Sequence, residues 1–328
     1  MPFCSSLAHP RRRILLPHST TRRVFLSALV LPLALALGAC STTSSTTASL
    51  TPIANAVPPL PSERYSAIVV DATSGRKLYG YEDTSQRFPA SMTKMMTLYM
   101  LFEQMQSGRI DKNTIIPVSP YAASRPPTKI GFRPGEGIDV ESAIKALITR
   151  SANDVATAVG EFIGGGSEQQ FALMMTQKAR SIGMRDTRFE NASGLPDAMQ
   201  VTTAKDMATL AIMLRRQFPQ YYPYFSVTEF SYRGKTIRGH NRLVGGVEGV
   251  DGIKTGYIRA SGFNVATSVT RNGRRLVVVV MGGASAKQRD GQVAQLIEAF
   301  LPSRNGSASL PGALAVLDPG ALPGVDAD

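Results

Sequence analysis

Phe88-Pro89-Ala90-Ser91-Met92-Thr93-Lys94-Met95-Met96-Thr97 is the stretch of this chain that says most about its fold and chemistry. Proline is tolerated at a helix start, so Pro89 marks the beginning of a helix expected from about Ser91 to Gln106. Met92, Met95, Met96, Tyr99, Met100 and Phe102 supply its apolar faces at helical spacing. The methionines read as core filling rather than as a functional stripe. Residues three apart share a helix face, which brings the Lys94 amine toward the Ser91 hydroxyl. A serine hydroxyl is a poor nucleophile until a base takes its proton. A neutral Lys94 is such a base if burial and a nearby cation lower its pKa. Ser91 in the first turn would also lie where the helix dipole favours the oxyanion of an acyl-transfer intermediate. Taken alone, the Ser-x-x-Lys spacing is common on solvated helix surface.

Two later motifs complete a possible site. Ser151-Ala152-Asn153 falls between two expected helices. There a hydroxyl can relay a proton to a leaving amine, and the asparagine amide can hold a substrate carbonyl. The competing reading is a helix N-cap, a position that Ser and Asn both favour. Lys254-Thr255-Gly256, followed by Tyr257, suits an edge strand on which glycine lets a substrate approach the backbone. Lys254 and Thr255 would bind a carboxylate, and the Lys254 charge would depress the pKa of Lys94. A simple turn with a surface lysine is the alternative.

Outward from these motifs, Tyr65–Asp71 and Lys77–Tyr81 look like strands joined by a turn at Ser74-Gly75. Helices are expected at 140–149, 153–163, 168–182 and 203–216. Strands are expected at Val227–Tyr232, Gly262–Thr270 and Arg275–Gly282, the last two joined by the hairpin signal Arg271-Asn272-Gly273. A final helix should run over roughly 287–300. Strands, a helical block, then strands and a helix imply an α+β fold, an antiparallel sheet flanked by helices. About 240 residues are patterned in this way without internal repeat, one catalytic unit spanning 62–301.

Composition narrows the function. The chain has 328 residues and a net charge of +12. Arg11, Arg12, Arg13, Arg22 and Arg23 all lie in residues 1–39, where no acid stands, so the remainder carries 31 basic and 24 acidic residues, a net of +7. With no run longer than a pair of cations there, no nucleic-acid partner is expected. Attraction to an anionic polymer such as a cell wall fits the charge. The apolar run Val24 to Gly38 has the length of a signal-peptide core, and Leu37-Gly38-Ala39-Cys40 resembles a bacterial lipobox. Residues 1–39 are therefore read as a signal peptide and Cys40 as the lipidation site, giving an exported, periplasmic or envelope protein anchored to a membrane by its N-terminal lipid. Thr21-Arg22-Arg23-Val24-Phe25-Leu26 also resembles the twin-arginine export pattern. Residues 40–61, rich in Ser, Thr, Ala and Pro, read as a tether with a root-mean-square span of about 25 Å. Residues 302–328 read as a disordered tail. Cys4 and Cys40 are the only cysteines, and of the three histidines only His240 lies beyond the leader. A disulfide, a thiolate metal site or a multi-histidine zinc site is thus excluded from the catalytic unit, and no metal or cofactor is expected.

Ser91, Lys94, Ser151, Asn153, Lys254, Thr255 and Gly256 together resemble the active-site set of penicillin-binding proteins and serine β-lactamases, an association that is general knowledge of those enzymes. The resemblance extends to Phe88–Thr97, Leu147–Asn153 with Asp154-Val155-Ala156, Phe189–Pro196, Asp251-Gly252-Ile253 and Ala260-Ser261-Gly262. Over residues 62–301 the chain is similar to low-molecular-mass penicillin-binding proteins of the serine-type D-Ala-D-Ala carboxypeptidase family. That resemblance implies a β-lactamase/transpeptidase-like fold with an all-helical subdomain. It implies an enzyme that removes the terminal D-alanine from peptidoglycan stem peptides through a Ser91 acyl-enzyme and that binds β-lactam antibiotics. It further implies Lys94 as base, Ser151 as proton relay, Asn153 as substrate-orienting group, Lys254 and Thr255 as carboxylate-binding groups, and the backbone N–H groups of Ser91 and Tyr257 as the oxyanion hole. Ile258 stands where many relatives have threonine, and Asn264 where some have cysteine; Arg259 is a candidate helper for the carboxylate. The second β-rich domain and the terminal amphipathic helix of some relatives are expected to be missing, with the lipid on Cys40 replacing that anchor.

Three other functions compete. A class A-type β-lactamase needs a second base in a Glu-x-x-Leu-Asn segment, which is not found between Ser151 and Lys254; Glu190-Asn191-Ala192-Ser193-Gly194 does not match it. Endopeptidase action on cross-links would use the same site. A silent peptide-binding lipoprotein has no need of a nucleophile with a lysine beside it.

Overall fold

Leu276-Val277-Val278-Val279-Val280-Met281 is apolar at every position, and the computed structural model, which describes residues 57–303, shows why. This run lies in β9 (Arg274–Gly283), the middle strand of a five-stranded antiparallel sheet ordered β2-β1-β9-β8-β7. The other strands are β1 (Ser66–Asp71), β2 (Lys77–Tyr81), β7 (Val250–Ile258) and β8 (Gly262–Arg271). Helices cover both faces, so both sets of alternating side chains are buried. Ile68, Val70, Val277, Val279 and Met281 face one core, while Ala67, Val69, Leu276, Val278 and Val280 face the other. Each valine or leucine removed from water in this way contributes about 1.5–3 kcal/mol relative to exposure.

The second core is closed by α7 (Ala286–Phe300) through Val293, Leu296 and Ile297. The first is shared with a helical block: α1 (Lys94–Gln106), α3 (Val140–Ile148), α4 (Asn153–Ile163), α5 (Glu168–Ser181) and α6 (Ala204–Gln217). The short α2 (Pro120–Ala123) and the ribbons β3 (Ile115–Pro117) with β4 (Gly137–Asp139), and β5 (Glu229–Tyr232) with β6 (Lys235–Arg238), complete the chain. The fold is therefore α+β, a sheet between helical layers. The expected strands and helices are present. The expected strand at Val227–Tyr232 is β5; its partner β6, the β3–β4 ribbon and α2 were not read from sequence, since segments of three or four residues carry too little periodicity to register.

Cys40, the leader, the first part of the tether and the tail beyond residue 303 lie outside the described residues. The last residues assigned to the tether behave differently from a free coil. Val57 is buried in the α7-side core with Leu60 packed against it, and Gln292 Nε2 donates to Pro58 O at 2.9 Å.

Helix starts divide into two kinds. Ser119, Asp139, Ser167, Thr203 and Ser285 cap α2, α3, α5, α6 and α7, each side chain accepting a first-turn N–H. The starts at Pro89 and Ala152 have no side-chain cap. Both are preceded or followed at once by a non-glycine residue in the left-handed region, Ala90 at φ 48° and Ser151 at φ 58°. Such conformations cost of order 1–3 kcal/mol each and persist where surrounding structure enforces them. These two starts carry the motifs.

Candidate active site

Ser91 lies in a 3-10 turn, Ala90–Thr93, that leads into α1 at Lys94. The expected helix thus begins with one tighter turn, and the i, i+3 relation still brings the two side chains together. Lys94 Nζ is 3.2 Å from Ser91 Oγ, 2.8 Å from Asn153 Oδ1 and 2.5 Å from the Ser193 carbonyl oxygen. A neutral amine has two N–H donors and one lone pair. Asn153 and Ser193 take the donors, which turns the lone pair to the Ser91 hydroxyl. Burial and then the Lys254 cation hold the Lys94 amine well below the usual lysine range, opposed by Asp154 and Glu168.

Asn153 is the first residue of α4 and does not cap it; the N-cap position belongs to Ala152. The capping alternative for Ser151-Ala152-Asn153 is therefore not what the structure shows. Asn153 Nδ2 donates to the Pro126 and Pro127 carbonyls at 3.0 and 3.2 Å, which aims Oδ1 at Lys94. Asp154, also buried, accepts from the Ile130 and Gly131 N–H groups and clamps the 128–131 segment beside the helix start. Ser151 is buried, and its hydroxyl has no hydrogen-bond partner.

β7 closes the site as an edge strand. Lys254 is buried, donates to the Thr255 carbonyl at 2.8 Å, and is pushed down to about 7 by burial and by the Arg289 cation. The surface-lysine alternative fails on that burial. Gly256 explains itself by distance: a Cβ there would stand 3.0 Å from Ser91 N, 3.1 Å from Met92 N and 3.1 Å from Pro89 O. The glycine lets the nucleophile turn itself press against the strand, and so sets the Ser91 N–H beside the β7 backbone. Tyr257 follows with an exposed ring tilted by 34° against that of Phe263, centroids 4.3 Å apart.

Several supporting groups escaped the reading of the sequence. Ser193 acts through its backbone carbonyl, an atom every residue has. The loop that presents it is wound around Asn191 Oδ1, which accepts from Ser193 N, Gly194 N and Leu195 N. Ala192 is pinned from both sides, its N–H donating to Glu168 Oε1 at 3.0 Å and its carbonyl accepting from Thr97 Oγ1 at 2.6 Å. Thr157 Oγ1 donates to the same Glu168 oxygen at 3.0 Å. Gly194, at φ 85°, packs so closely that a Cβ would fall 1.9 Å from Ala90 O.

Asn264, fully buried on β8, ties the turn to the sheet. Its Nδ2 donates to Phe88 O at 2.9 Å and Pro89 O at 3.4 Å, and its Oδ1 accepts from Gly282 N at 3.0 Å. A thiol at this position has neither the two donors nor the strong acceptor. Ile258 donates its N–H to Ser261 Oγ, and Arg259 is exposed, with its carbonyl held by Arg64. The His240 imidazole is held down to about 4 by desolvation beside the cleft and by the Lys254, Arg150 and Lys94 cations, although the residue keeps an open face to solvent. Among the described residues no group of three or more His, Cys, Asp or Glu side chains could hold a metal ion.

A hydroxyl within reach of a buried amine, at an uncapped helix start beneath the edge strand of an antiparallel sheet, is the arrangement of the serine–lysine acyl-transfer class. The family model for D-alanyl-D-alanine carboxypeptidases (peptidase S11) matches residues 54–285, and the chain belongs to that family. The D-alanyl-D-alanine carboxypeptidase DacF of Bacillus subtilis (strain 168) is 32% identical over 72% of this chain and 61% of its own length. The present chain thus spans about three-fifths of that relative. Among solved structures, the D-alanyl-D-alanine carboxypeptidase DacD from Francisella tularensis superposes with a TM-score of 0.69 at 27% identity, over 72% of this chain and 70% of that one. Penicillin-binding protein D2 from Listeria monocytogenes, solved in its cefotaxime-bound form, gives 0.62 at 26% identity, over 71% and 95%.

Proposed function

We propose that this protein is a serine D-Ala-D-Ala carboxypeptidase that removes the terminal D-alanine from peptidoglycan stem peptides and is acylated at Ser91 by β-lactams. The observation that carries the reading is the environment of Lys94: a buried amine whose two donor partners, Asn153 Oδ1 and Ser193 O, leave its lone pair facing Ser91 Oγ.

The chemistry follows from that geometry. Neutral Lys94 takes the Ser91 proton as Oγ bonds to the penultimate residue's carbonyl carbon. The oxyanion forms against the Ser91 and Tyr257 N–H groups, a reading supported by the close approach of the Ser91 turn to Gly256, the residue before Tyr257. The proton passes from Lys94 toward the leaving amine, with the unpartnered Ser151 hydroxyl as relay, and the C–N bond breaks to release D-alanine. Water then attacks the ester, returning Ser91 and the shortened peptide. Lys254 and Thr255 bind the terminal carboxylate. Asn153 positions Lys94; its amide reaches a substrate carbonyl only by giving up the Pro126 and Pro127 bonds. Glu168 is tied to Thr157 and Ala192 and is not free to act as a second hydrolytic base. A penicilloyl ester should therefore persist.

Export by the leader and a lipid on Cys40 would hold this activity at the envelope, where its polymer lies. Among the described residues no helix is long and apolar enough to cross a membrane. Mass spectrometry after benzylpenicillin treatment, with a digest of stem pentapeptide alongside, tests the proposal. One penicilloyl adduct on the Ser91 peptide, absent in Ser91→Ala, and release of a single D-alanine are expected. An adduct on another residue, or an unprocessed pentapeptide, refutes it.

A further inference from the structure

A concavity of about 240 Å³ is lined by none of the residues placed at the Ser91 site. It lies where α6 packs on β1, β8 and β9, and its wall includes Arg215, Arg216, Arg275, Tyr222 and Ser268. Three guanidinium groups line it, and two of them meet one carboxylate. Asp251 Oδ2 accepts from Arg215 Nη1 at 3.4 Å and Arg275 Nη1 at 3.0 Å, and Tyr222 Oη donates to its Oδ1 at 3.4 Å. Arg216 is anchored by Nη2 on the Ala72 and Thr73 carbonyls at 3.1 and 2.9 Å. A guanidinium has five N–H donors, and these bonds engage only one nitrogen of each. Arg215 is further oriented by its stacking over the Tyr222 ring, 4.6 Å from the centroid.

An independent sign comes from Ser268. Its residue is 1% exposed, it lines the cavity, and its hydroxyl has no hydrogen-bond partner. A buried polar group left unpaired costs about 1–3 kcal/mol, and an oxygen acceptor seated in the cavity would relieve that cost at Ser268. Here it is a donor on the wall of a cationic cavity. Three arginines against one aspartate leave a local charge of +2, close to the charge of about −1.5 to −2 on a phosphate monoester. A lone carboxylate would leave half of it unmatched. The volume is below the roughly 300 Å³ at which pockets for larger ligands begin, which selects a compact group. Arginine forks match phosphate oxygens in pairs.

We propose that this cavity is a phosphate-binding site, taking free phosphate or the phosphate end of a larger molecule on Arg215, Arg216, Arg275 and Ser268. Calorimetric titration of the full-length protein in detergent, at pH 7.5 and constant ionic strength, tests it with three probes: inorganic phosphate, glycerol phosphate and acetate. Saturable binding of inorganic phosphate is expected, weakened tenfold or more in Arg216→Gln and in Arg215→Gln, a few-fold in Ser268→Ala, and unchanged in the surface variant Arg109→Gln. Circular dichroism melts confirm which variants are folded, and Ser268→Ala, which deletes one unpaired hydroxyl, serves if an arginine variant is not. Glycerol phosphate binding with the same pattern supports an ester as the natural ligand; binding of the inorganic ion alone supports the free ion. No saturable phosphate binding, equal binding in all variants, or acetate binding as well as phosphate overturns the proposal.

Discussion

Asn264 is the residue through which the nucleophile turn is fastened to the sheet, and its removal should separate fastening from chemistry. In Asn264→Ala, Phe88 O and Gly282 N lose partners at 2.9 and 3.0 Å, the first half-buried and the second fully buried, and Pro89 O loses a weaker contact at 3.4 Å. A buried backbone group left unpaired costs about 1–3 kcal/mol, so two such groups and the lost packing bring the loss to ~3 kcal/mol. For a domain of this size that is a fall in Tm of about 6–12 °C. Pro89 O also receives the Met92 N–H that closes the turn around Ser91. Slackening there displaces Oγ relative to Lys94, and a misplacement of about 1 Å is enough for a 100-fold loss of rate. Asn264→Leu keeps the volume while deleting the polar groups, and should lose nearly as much of both quantities. Urea unfolding and the rate of acylation by benzylpenicillin measure the two. Wild-type stability and wild-type acylation in both variants would refute the claim that Asn264 holds the turn.

Acylation should rise with pH as Lys94 becomes neutral and fall as Lys254, lowered to about 7, loses its charge; both limbs belong to the coupled pair. Lys254→His removes the cation at alkaline pH, which raises the Lys94 pKa and moves the rising limb upward. His240→Ala should leave that limb in place, because the imidazole titrates near 4; a limb that disappears with His240 would replace the lysine mechanism by a histidine one. Gly194→Ala puts a Cβ 1.9 Å from Ala90 O at φ 85°, and should cut acylation at least 100-fold while far-UV circular dichroism stays native; a wild-type rate would show that the loop can withdraw without disturbing Ser91. Cys40→Ala should abolish labelling by a palmitate analogue and release an active enzyme from membranes, whereas unchanged membrane association would require another anchor.

Local patterns were enough for much of this protein. The long helices and the strands of the sheet are visible in apolar periodicity, because each pattern repeats within ten or fifteen residues. Ser91 and Lys94 are legible as a pair because one helical turn separates them. Ser151, Asn153 and Lys254 are legible only as fragments, each with an ordinary alternative, and resemblance rather than spacing joined them. What tertiary structure decided is where those fragments meet. It turned Asn153 from a possible cap into the acceptor that orients Lys94, and it buried Lys254 near enough to depress that amine. It brought in Ser193 through a carbonyl that no side chain advertises. It also gave Gly194 and Gly256 their reason, the approach of two backbones to one turn, a contact between segments about a hundred or more residues apart in the chain. Side-chain chemistry and short periods are written in the order of residues; backbone proximity and burial arise only when the sheet has formed and the helices have packed on it.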